Sequence, residues 1–398
     1  MNFSKKILVI AFTMVITTNI FAKEKEESND ESQEIANCDP CVNETKSEFD
    51  RGYPICEDTF KKGYNAAGRI DVCGKIDTFV TASFIYWEVL SDQIDIGVLE
   101  SNATSNDRNI QILKFDEDYE PGFKVGFGTH FKHDNWDIFA EYTRLHGSEN
   151  TSLDIDLQDS TSAYRDFWFI DHLLVSTADR FTTPIQSNWK MHLDKIDLEL
   201  ARSYYIGTNL VFRPFAGGSA HWLDQNYGHQ FSFLPNLADP NIIISNNLSL
   251  NNDSWALGPR FGLNMNWFFF KNFRLFGRGS IDIMFASNKI SGSHVVTAIG
   301  AFGPINPSLN PNLIKDKKYI VRDVEDFSIG LGWGSYFRSD KWHFDLTASY
   351  EVQRYSHTNY MSSYDQTFGS TQFQDFTKQV KPGDLFLHGL TVSARFDF

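Results

Sequence analysis

The sequence has no long apolar run after its first two dozen residues, which excludes helical membrane spans from the rest of the chain. The one run, at 7–21, follows Lys5 and Lys6 and ends before Ala22 and a stretch of lysine and glutamate. A short apolar run between a basic start and a small residue is typical of a secretory signal peptide. We therefore expect residues 1–22 to be a signal peptide, with a plain N-terminal membrane anchor as the alternative.

Cysteine is scarce, and Cys38, Cys41, Cys56 and Cys73 all lie in the first third of the chain. Residues 23–50 contain few large apolar side chains, so we predict a flexible periplasmic arm there, within a Cys-containing extension over residues 23–74. In an exported protein these cysteines are expected to form disulfides, within the chain or with other molecules, in a pairing that the spacing does not reveal. A thioredoxin-like redox pair and a zinc site are weaker alternatives, because no βαβ pattern and no second close cysteine pair are present.

Basic residues are outnumbered, with 36 Lys and Arg against 51 Asp and Glu, and the formal net charge is -15. A surface with this balance repels phosphate backbones, so nucleic acid is not an expected partner. An acidic interior or exterior would favour cations over anions.

Recognisable catalytic motifs are also missing from the sequence. No G-x-S-x-G elbow follows a strand pattern, and the glycine-rich stretches at 126–128 and 330–334 lie within strand patterns instead of preceding a helix. His130 and His343 fall on polar faces, where a structural role is the expected one. We predict no enzymatic activity, no cofactor and no metal; a barrel enzyme such as a lipase or protease is a minor alternative.

Aromatic residues, by contrast, are abundant, at 15% of the chain with 36 Phe and 9 Trp. The mean hydropathy is nevertheless negative. Both facts are explained if aromatic side chains face lipid and its interfaces while their neighbours face water.

Ten segments alternate between apolar and polar residues with a period of two, which predicts strands with one oily face and one wet face. In the last segment Leu390, Val392, Ala394 and Phe396 alternate with polar residues, and the sequence ends on Phe398. We predict that Phe398 belongs to the signal read by the barrel-insertion machinery. The segments are 76–87, 123–131, 136–143, 189–200, 208–222, 255–269, 273–285, 327–337, 342–352 and 383–398.

The connections between these segments alternate between short and long. The short ones are 132–135, 202–207, 271–272 and 339–341, and the long ones are 88–121, 147–187, 223–253, 287–325 and 356–381. Short periplasmic turns and long external loops are typical of outer-membrane barrels. In lipid an unpaired strand edge costs several kcal/mol, so the sheet must close.

We therefore predict an all-β fold: a closed antiparallel transmembrane β-barrel of about ten strands, within a range of 8–16, formed by residues 75–398 in the outer membrane. A soluble β-sandwich or propeller is the alternative, since it also alternates.

The wet faces of the predicted strands carry charges of both signs, which are expected to line the pore and to form interior ion pairs. Lys195 interrupts the fourth segment and is interpreted as a bulge or a rim position. Ile85, Phe139 and Leu145 fall on the wet face, which suggests a partly filled lumen or packing at the periplasmic rim. The candidate pore-lining residues are Lys124, Asp137, Glu141, Asp197, Glu199, Arg213, Arg260, Arg274, Arg278, Asp282, Asp345, Glu351 and Arg395.

Several short motifs occur in a particular order along the chain. They are GYNAAGR at 63–69, IDV at 70–72, TASFIYWE at 81–88, GFKVGFG at 122–128, NWDIFAEYTRLH at 135–146, RPFAGG at 213–218 and WALGPRFGL at 255–263. This succession resembles the Legionella-type major outer membrane protein family, also found in chlamydia-like bacteria. The resemblance implies an abundant pore-forming barrel, often cross-linked by disulfides, and supplies no catalytic motif.

We accordingly expect an outer-membrane porin for passive diffusion of ions and small hydrophilic solutes, with a preference for cations. The alternative is a non-conducting structural or adhesive barrel, because barrels of about eight strands are filled by side chains whereas about sixteen leave a channel. Expected partners are outer-membrane lipid, the insertion machinery, and other copies or envelope proteins linked through disulfides; oligomers are compatible with the sequence.

Overall fold

The computed structural model describes residues 67–73, 77–101, 109–116, 118–131, 135–154, 163–168, 180–234, 242–270, 272–300, 303–304, 312–338, 340–361, 364–366, 376–379 and 382–398. The expected signal peptide at 1–22 and most of the extension at 23–74 lie outside the described residues. No helix long and apolar enough to cross a membrane is found in the described part of the chain.

The described residues form eighteen strands. In chain order they are β1 (Thr78–Ser91), β2 (Gly97–Ser101), β3 (Asn109–Leu113), β4 (Tyr119–His130), β5 (Trp136–Leu153), β6 (Ala163–Asp166), β7 (Arg180–Phe181), β8 (Ile185–Arg202), β9 (Tyr204–Ile206), β10 (Leu210–Leu234), β11 (Ile243–Phe270), β12 (Phe273–Gly300), β13 (Gly303–Pro304), β14 (Asn312–Phe337), β15 (Trp342–Asn359), β16 (Tyr364–Gln366), β17 (Phe376–Gln379) and β18 (Gly383–Asp397).

Ten of these strands close into one antiparallel barrel, in the order β1-β4-β5-β8-β10-β11-β12-β14-β15-β18 and back to β1. At the seam, β1 pairs with β18, and the amides of Thr78 and Phe398 each donate to the other residue's carbonyl at 3.2 and 2.9 Å. Closure at this seam leaves the lipid-facing sheet without an open edge. The predicted fold class and the count of ten are confirmed.

The four short connections of the barrel lie at one end, as predicted. Their tight reversals use residues in the left-handed region, with φ of 56° at Asn135, 74° at Gly207, 64° at Asn272 and 62° at Asp340. Asparagine, aspartate and glycine tolerate this conformation better than other residues, so the sequence is matched to these turns.

The strands are much longer than the sequence predicted. β11 and β12 each have 28 residues, whereas about 9–11 residues are enough to cross a bilayer. The predicted long loops at 223–253 and 287–325 are wrong for most of their length, because β10, β11, β12 and β14 continue through them. The barrel wall therefore continues beyond the lipid-facing region; we call this part the upper wall, which includes 186–194, 224–234, 243–253 and 287–297.

The direction of the apolar face reverses between the two parts of the wall. In the lipid-facing part, Leu257 and Phe261 of β11 point outward and are 56% and 48% exposed, whereas Arg260 points inward. In the upper wall, Leu248 and Leu250 of the same strand are buried inside, and polar residues alternate with them on the outside. The lower part is thus built for lipid around a polar interior, and the upper part for water around an apolar core.

The remaining strands form small additions to the barrel. β2, β3 and β6 make a separate three-stranded sheet, β16 and β17 form a hairpin, and β7, β9 and β13 add short pairings to β10 or β12. The segment at 109–115 also alternates, but it forms β3 of the separate sheet and its continuation and adds no strand to the barrel.

Candidate functional site

The lumen of the barrel is the candidate site, because it collects the charged residues singled out in the sequence. All thirteen candidates point to the interior. Ten of them line a cavity of about 240 Å³ near the end with the short turns: Lys124, Asp137, Glu141, Glu199, Arg213, Arg274, Arg278, Asp345, Glu351 and Arg395. The other three, Asp197, Arg260 and Asp282, lie in a network next to it.

Arg260 of β11 is the centre of this network and is fully buried. Its guanidinium donates to Asp282 at 2.8 Å and to Asp326 at 3.1 Å, and lies 3.8 Å from Asp197. Lys195 lies 3.3 Å from both Asp197 and Asp282. These five residues come from four strands, and mutual compensation is what allows so many charges to be buried.

A second group of charges is organised around Glu199. Its carboxylate accepts hydrogen bonds from Arg213 at 3.0 Å and from Arg278. Arg213 also donates to Asp137 at 2.6 Å. One carboxylate thus joins two arginines from different strands, which holds their side chains in fixed positions.

Five of the remaining candidates form separate pairs, and Glu141 lines the cavity beside them. Lys124 donates to Glu351 at 2.5 Å, and Arg274 donates to Asp345 at 2.7 Å. Arg395 donates to Asp397, two residues along its own strand, at 2.6 Å. Each cation in these pairs has a carboxylate partner, so the charges near the short turns are ion pairs instead of a row of free charges.

Two strongly charged members of the network were missed or misread in the sequence. Lys195 was interpreted as an interruption of its strand, which is wrong: β8 is continuous, and Lys195 points inward beside Asp197. Asp326 was not named. The alternation of the eighth segment, continued one residue before Phe327, would have placed Asp326 on the wet face.

An apolar cluster fills the lumen on the far side of the charge network. Every barrel strand except β4 contributes to it. Trp87, Leu145, Leu193, Leu223 and Tyr355 belong to it, and each has no exposed surface. Ile85 and Leu145, the apolar residues that the sequence placed on the wet face, are both members, and Phe139 is buried nearer the short-turn end.

The three-stranded sheet closes the lumen above the apolar cluster. Trp168 stacks on Tyr227 of β10 with ring centroids 3.8 Å apart, and Phe115 meets the same ring edge-on at 6.2 Å. Ile94 and Ile96, which lead into β2, are buried in the same cluster. Leu113 and Tyr164 of the three-stranded sheet also belong to the buried cluster, so the sheet packs on the apolar interior of the upper wall.

The opposite end is crossed by a short segment, residues 67–73, which we call the strap. The amide of Gly68 donates to Ser203 in the β8–β10 turn at 3.0 Å, and the amide of Cys73 donates to Asp340 in the β14–β15 turn at 2.8 Å. Four barrel strands lie between these turns on one side and six on the other, so the strap spans the mouth. Ile70 and Val72 are buried, which differs from the flexible extension predicted for these residues.

Cys73 is the one cysteine among the described residues, and it is disulfide-bonded. Its partner is one of the other three cysteines, Cys38, Cys41 and Cys56, and all three lie outside the described residues. The pairing, and links to other molecules, stay predictions.

The histidines of the lumen are bound into pairs. His130 lies 2.8 Å from Asp77, and His343 lies 3.1 Å from Asp397. Ser187 and His229 also meet at 2.7 Å in the upper lumen. Both are almost fully buried, and the contact satisfies hydrogen-bonding groups of two polar side chains within the core.

The glycines at 126 and 128 have a packing role. A Cβ atom on Gly128 would come within 2.2 Å of the Phe79 ring, and one on Gly126 within 2.6 Å of the Phe139 ring. These two rings are stacked with centroids 5.6 Å apart inside the barrel. The glycines make space for them, and no phosphate-binding loop is formed because both lie within β4.

Comparison with known proteins identifies the sequence family. The family profile described as Legionella pneumophila major outer membrane protein precursor matches residues 73–398. The match begins after the GYNAAGR motif. A search of curated proteins finds no match.

Among solved structures, the outer membrane protease OmpT from Escherichia coli is 10% identical, with a TM-score of 0.41, and the alignment covers 83% of this chain and 99% of that one. The Pseudomonas putida toluene transporter TodX is 9% identical, with a TM-score of 0.21, over 82% of this chain and 90% of that one. A Pseudomonas aeruginosa FadL homologue is 8% identical, with a TM-score of 0.22, and the alignment covers 81% of this chain and 90% of that one. These similarities are too distant to support an argument about activity.

Proposed function

The chain belongs to the Legionella major outer membrane protein family, and from this premise we propose that it is a structural protein of the outer membrane whose lumen is closed to solutes. The observation that carries the proposal is the apolar cluster across the lumen. Nine of the ten barrel strands contribute buried side chains to it, and the fully buried Arg260 network lies beside it.

The physical reason is the cost of opening such a lumen. A water-filled path needs polar groups that stay accessible along its whole length, as in barrels with about sixteen strands. Opening such a path here would separate the buried side chains of Trp87, Leu193, Leu223 and Tyr355. Burial of each large apolar side chain contributes about 1.5–3 kcal/mol to the stability of the folded protein. Ions do not cross such a cluster without a rearrangement of the core.

Passive diffusion of ions is the second candidate function. It is supported by the cavity of about 240 Å³ lined by charges of both signs near the short turns. Under this alternative the apolar cluster and the strap would be displaced in a conducting state, and the charged side chains of the lumen would set the preference among ions.

Conductance across a planar bilayer tests the proposal. We expect the refolded mature chain to give no conductance steps, whereas steps with a preference for cations would establish the porin and contradict the closed lumen.

The double variant Trp87→Ala/Tyr355→Ala empties part of the apolar cluster and is expected to admit ions. Trp255→Ala, which removes a lipid-facing indole, is the matched control and should stay silent. Heat-modifiable mobility on gels shows that each variant is folded.

A further inference from the structure

Glu141 of β5 differs from the other carboxylates of the lower lumen. Those of the Arg260 network, of the group around Glu199 and of the separate pairs each lie within ion-pair distance of an arginine or a lysine. Glu141 points inward and is only 9% exposed, but it has no ion pair and no side-chain hydrogen bond with any residue that the structure describes. Buried charges are normally paired, so Glu141 is a candidate for a ligand-binding group.

The cations around Glu141 are engaged elsewhere. Lys124 and Arg278 attract its carboxylate, but Lys124 donates to Glu351 and Arg278 donates to Glu199. The Lys124 pair is neutral, and the group around Glu199 has two arginines for two carboxylates. Neither has positive charge in excess, so Glu141 adds one negative charge that these neighbours do not neutralise. A ligand at this place is therefore expected to carry a single positive charge.

Glu141 faces a cavity whose wall has other polar atoms without partners. Glu141, Thr81 and Asn264 all line the cavity of about 240 Å³. Thr81 Oγ1 and Asn264 Oδ1 are buried and have no hydrogen-bond partner among the described residues. Thr81 and Glu141 are on the same register row, on either side of Gly126 of β4, so their side chains border the same part of the cavity.

The rest of the wall favours an organic ligand over a metal ion. Ile70 of the strap and the rings of Phe79 and Phe139 line the same cavity. A single water occupies about 15 Å³ of such a space, so a volume of about 240 Å³ is much larger than one ion requires. A divalent metal needs several ligands around one point, and the described residues contain no cluster of three or more His, Cys, Asp or Glu side chains that could hold one.

From these contacts we propose that the cavity binds a small alkylammonium ion, with Glu141 as its counterion. An ammonium group has three N–H donors, so it can donate to the Glu141 carboxylate and to Thr81 Oγ1 at the same time. The alkyl chain packs on Ile70 and on the Phe79 and Phe139 rings, whose faces also attract cations. The strap forms one side of the cavity, so the ligand lies at the short-turn end, away from the apolar cluster.

Isothermal titration calorimetry of the refolded mature chain with n-butylammonium chloride, in a non-ionic detergent, tests the proposal. We expect one ligand per chain in the wild type. Glu141→Gln keeps the size of the side chain and removes its charge. It should weaken binding at least about thirtyfold, because the ammonium would then be buried without a counterion. Glu325→Gln, at an exposed outward position of β14, is the matched control and should bind as the wild type does.

A second variant and two further ligands test the details of the site. Thr81→Val removes one hydroxyl and should weaken binding roughly fivefold. n-Butanol, which has the same chain without the charge, should not bind. Excess potassium ion should not displace the ammonium, because it gains nothing from the apolar part of the wall.

Absence of binding to the folded wild type would overturn the proposal, and this is the result expected if the Glu141 carboxylate is protonated or only hydrated. Unchanged affinity in folded Glu141→Gln, equal binding of n-butanol or complete displacement by potassium would do the same. Heat-modifiable mobility on gels confirms that each variant is folded. Conductance is not part of the readout, so a conducting lumen would leave this proposal intact.

Discussion

At the scale of single residues, the lower lumen depends on buried charges that are compensated only by one another. Arg260 has no exposed surface, and Asp197, Asp282 and Asp326 are all arranged around it. A buried pair of this kind contributes little net stability, but the loss of one partner leaves the others as uncompensated charges. Substitutions should therefore be far more severe here than on the outward face of the same strands.

Replacement of Arg260 by methionine tests this expectation. We predict that the free energy of unfolding falls by about 3–5 kcal/mol, because three carboxylates lose their central partner. Urea unfolding in detergent measures it. Lys190→Met, at an exposed outward position of β8, should change stability by less than about 0.5 kcal/mol. Similar losses in the two variants would contradict the assignment of Arg260 as the centre of the network.

Asp384, at the start of β18, is a carboxyl outside the lipid-facing part of the barrel whose pKa is shifted in the folded protein. Burial tends to raise the pKa of its carboxyl, but the His357 amide at 2.8 Å and Arg354 at 2.8 Å outweigh burial, so the pKa is lowered. A folded pKa below the unfolded value of about 3.9 stabilises the protein above that value, and the contribution disappears as the pH falls through the folded pKa.

We therefore expect the His357 amide to lose protection from hydrogen exchange between about pH 4 and pH 2. Protection factors, corrected for the intrinsic exchange rate, give the measurement. In Asp384→Asn the amide should be weakly protected at every pH in this range. A protection factor that is flat with pH in the wild type would show that Asp384 does not hold this end of the β15–β18 pair.

At the scale of elements, the strap and the long strands are the two features that the sequence did not predict. The strap contains no regular alternation, and its position depends on backbone hydrogen bonds to two turns that are distant in sequence. The upper strands do alternate, but their outward residues are mostly polar or charged, and the apolar residues point inward. A pattern of this kind is also compatible with a long polar loop, which explains the wrong prediction at 223–253.

Limited trypsin digestion tests the strap. Arg69 is 14% exposed and donates to Asp77 at 2.9 Å, so the folded protein should resist cleavage after Arg69. Ile70→Asn places a polar group at a buried position and is expected to release the strap and permit cleavage there. Ile110→Asn, at an exposed position of β3, should leave the site protected. Rapid cleavage after Arg69 in the wild type would exclude a seated strap.

At the scale of the whole molecule, the barrel combines two kinds of wall in one sheet. β11 and β12 begin beside lipid and end as the wall of a barrel with an apolar interior. Hydrogen bonding is continuous along both parts, so the strands need no loop at the membrane surface. The result is a tall, closed structure that presents polar side chains above the lipid, in agreement with the structural function that we propose.

Digestion of intact cells by trypsin tests the height of the wall. Lys289 was predicted to lie in a long external loop, but the structure places it within β12, where a protease cannot bind an extended peptide. We expect no cleavage after Lys289 in native protein and rapid cleavage after heat denaturation. Cleavage after Lys289 on intact cells would show that this residue lies in an external loop and that the barrel wall ends below it.

The sequence by itself determined the class of fold, the ten strands, the short turns and the side of each strand that carries charge. These are local properties, since a period of two and a turn residue are read within a few positions. Only the tertiary structure decided that the lumen is filled, that Lys195 and Asp326 join Arg260, and that the strap crosses the mouth. Those features depend on contacts between residues far apart in the chain, and closure of the barrel alone brings them together.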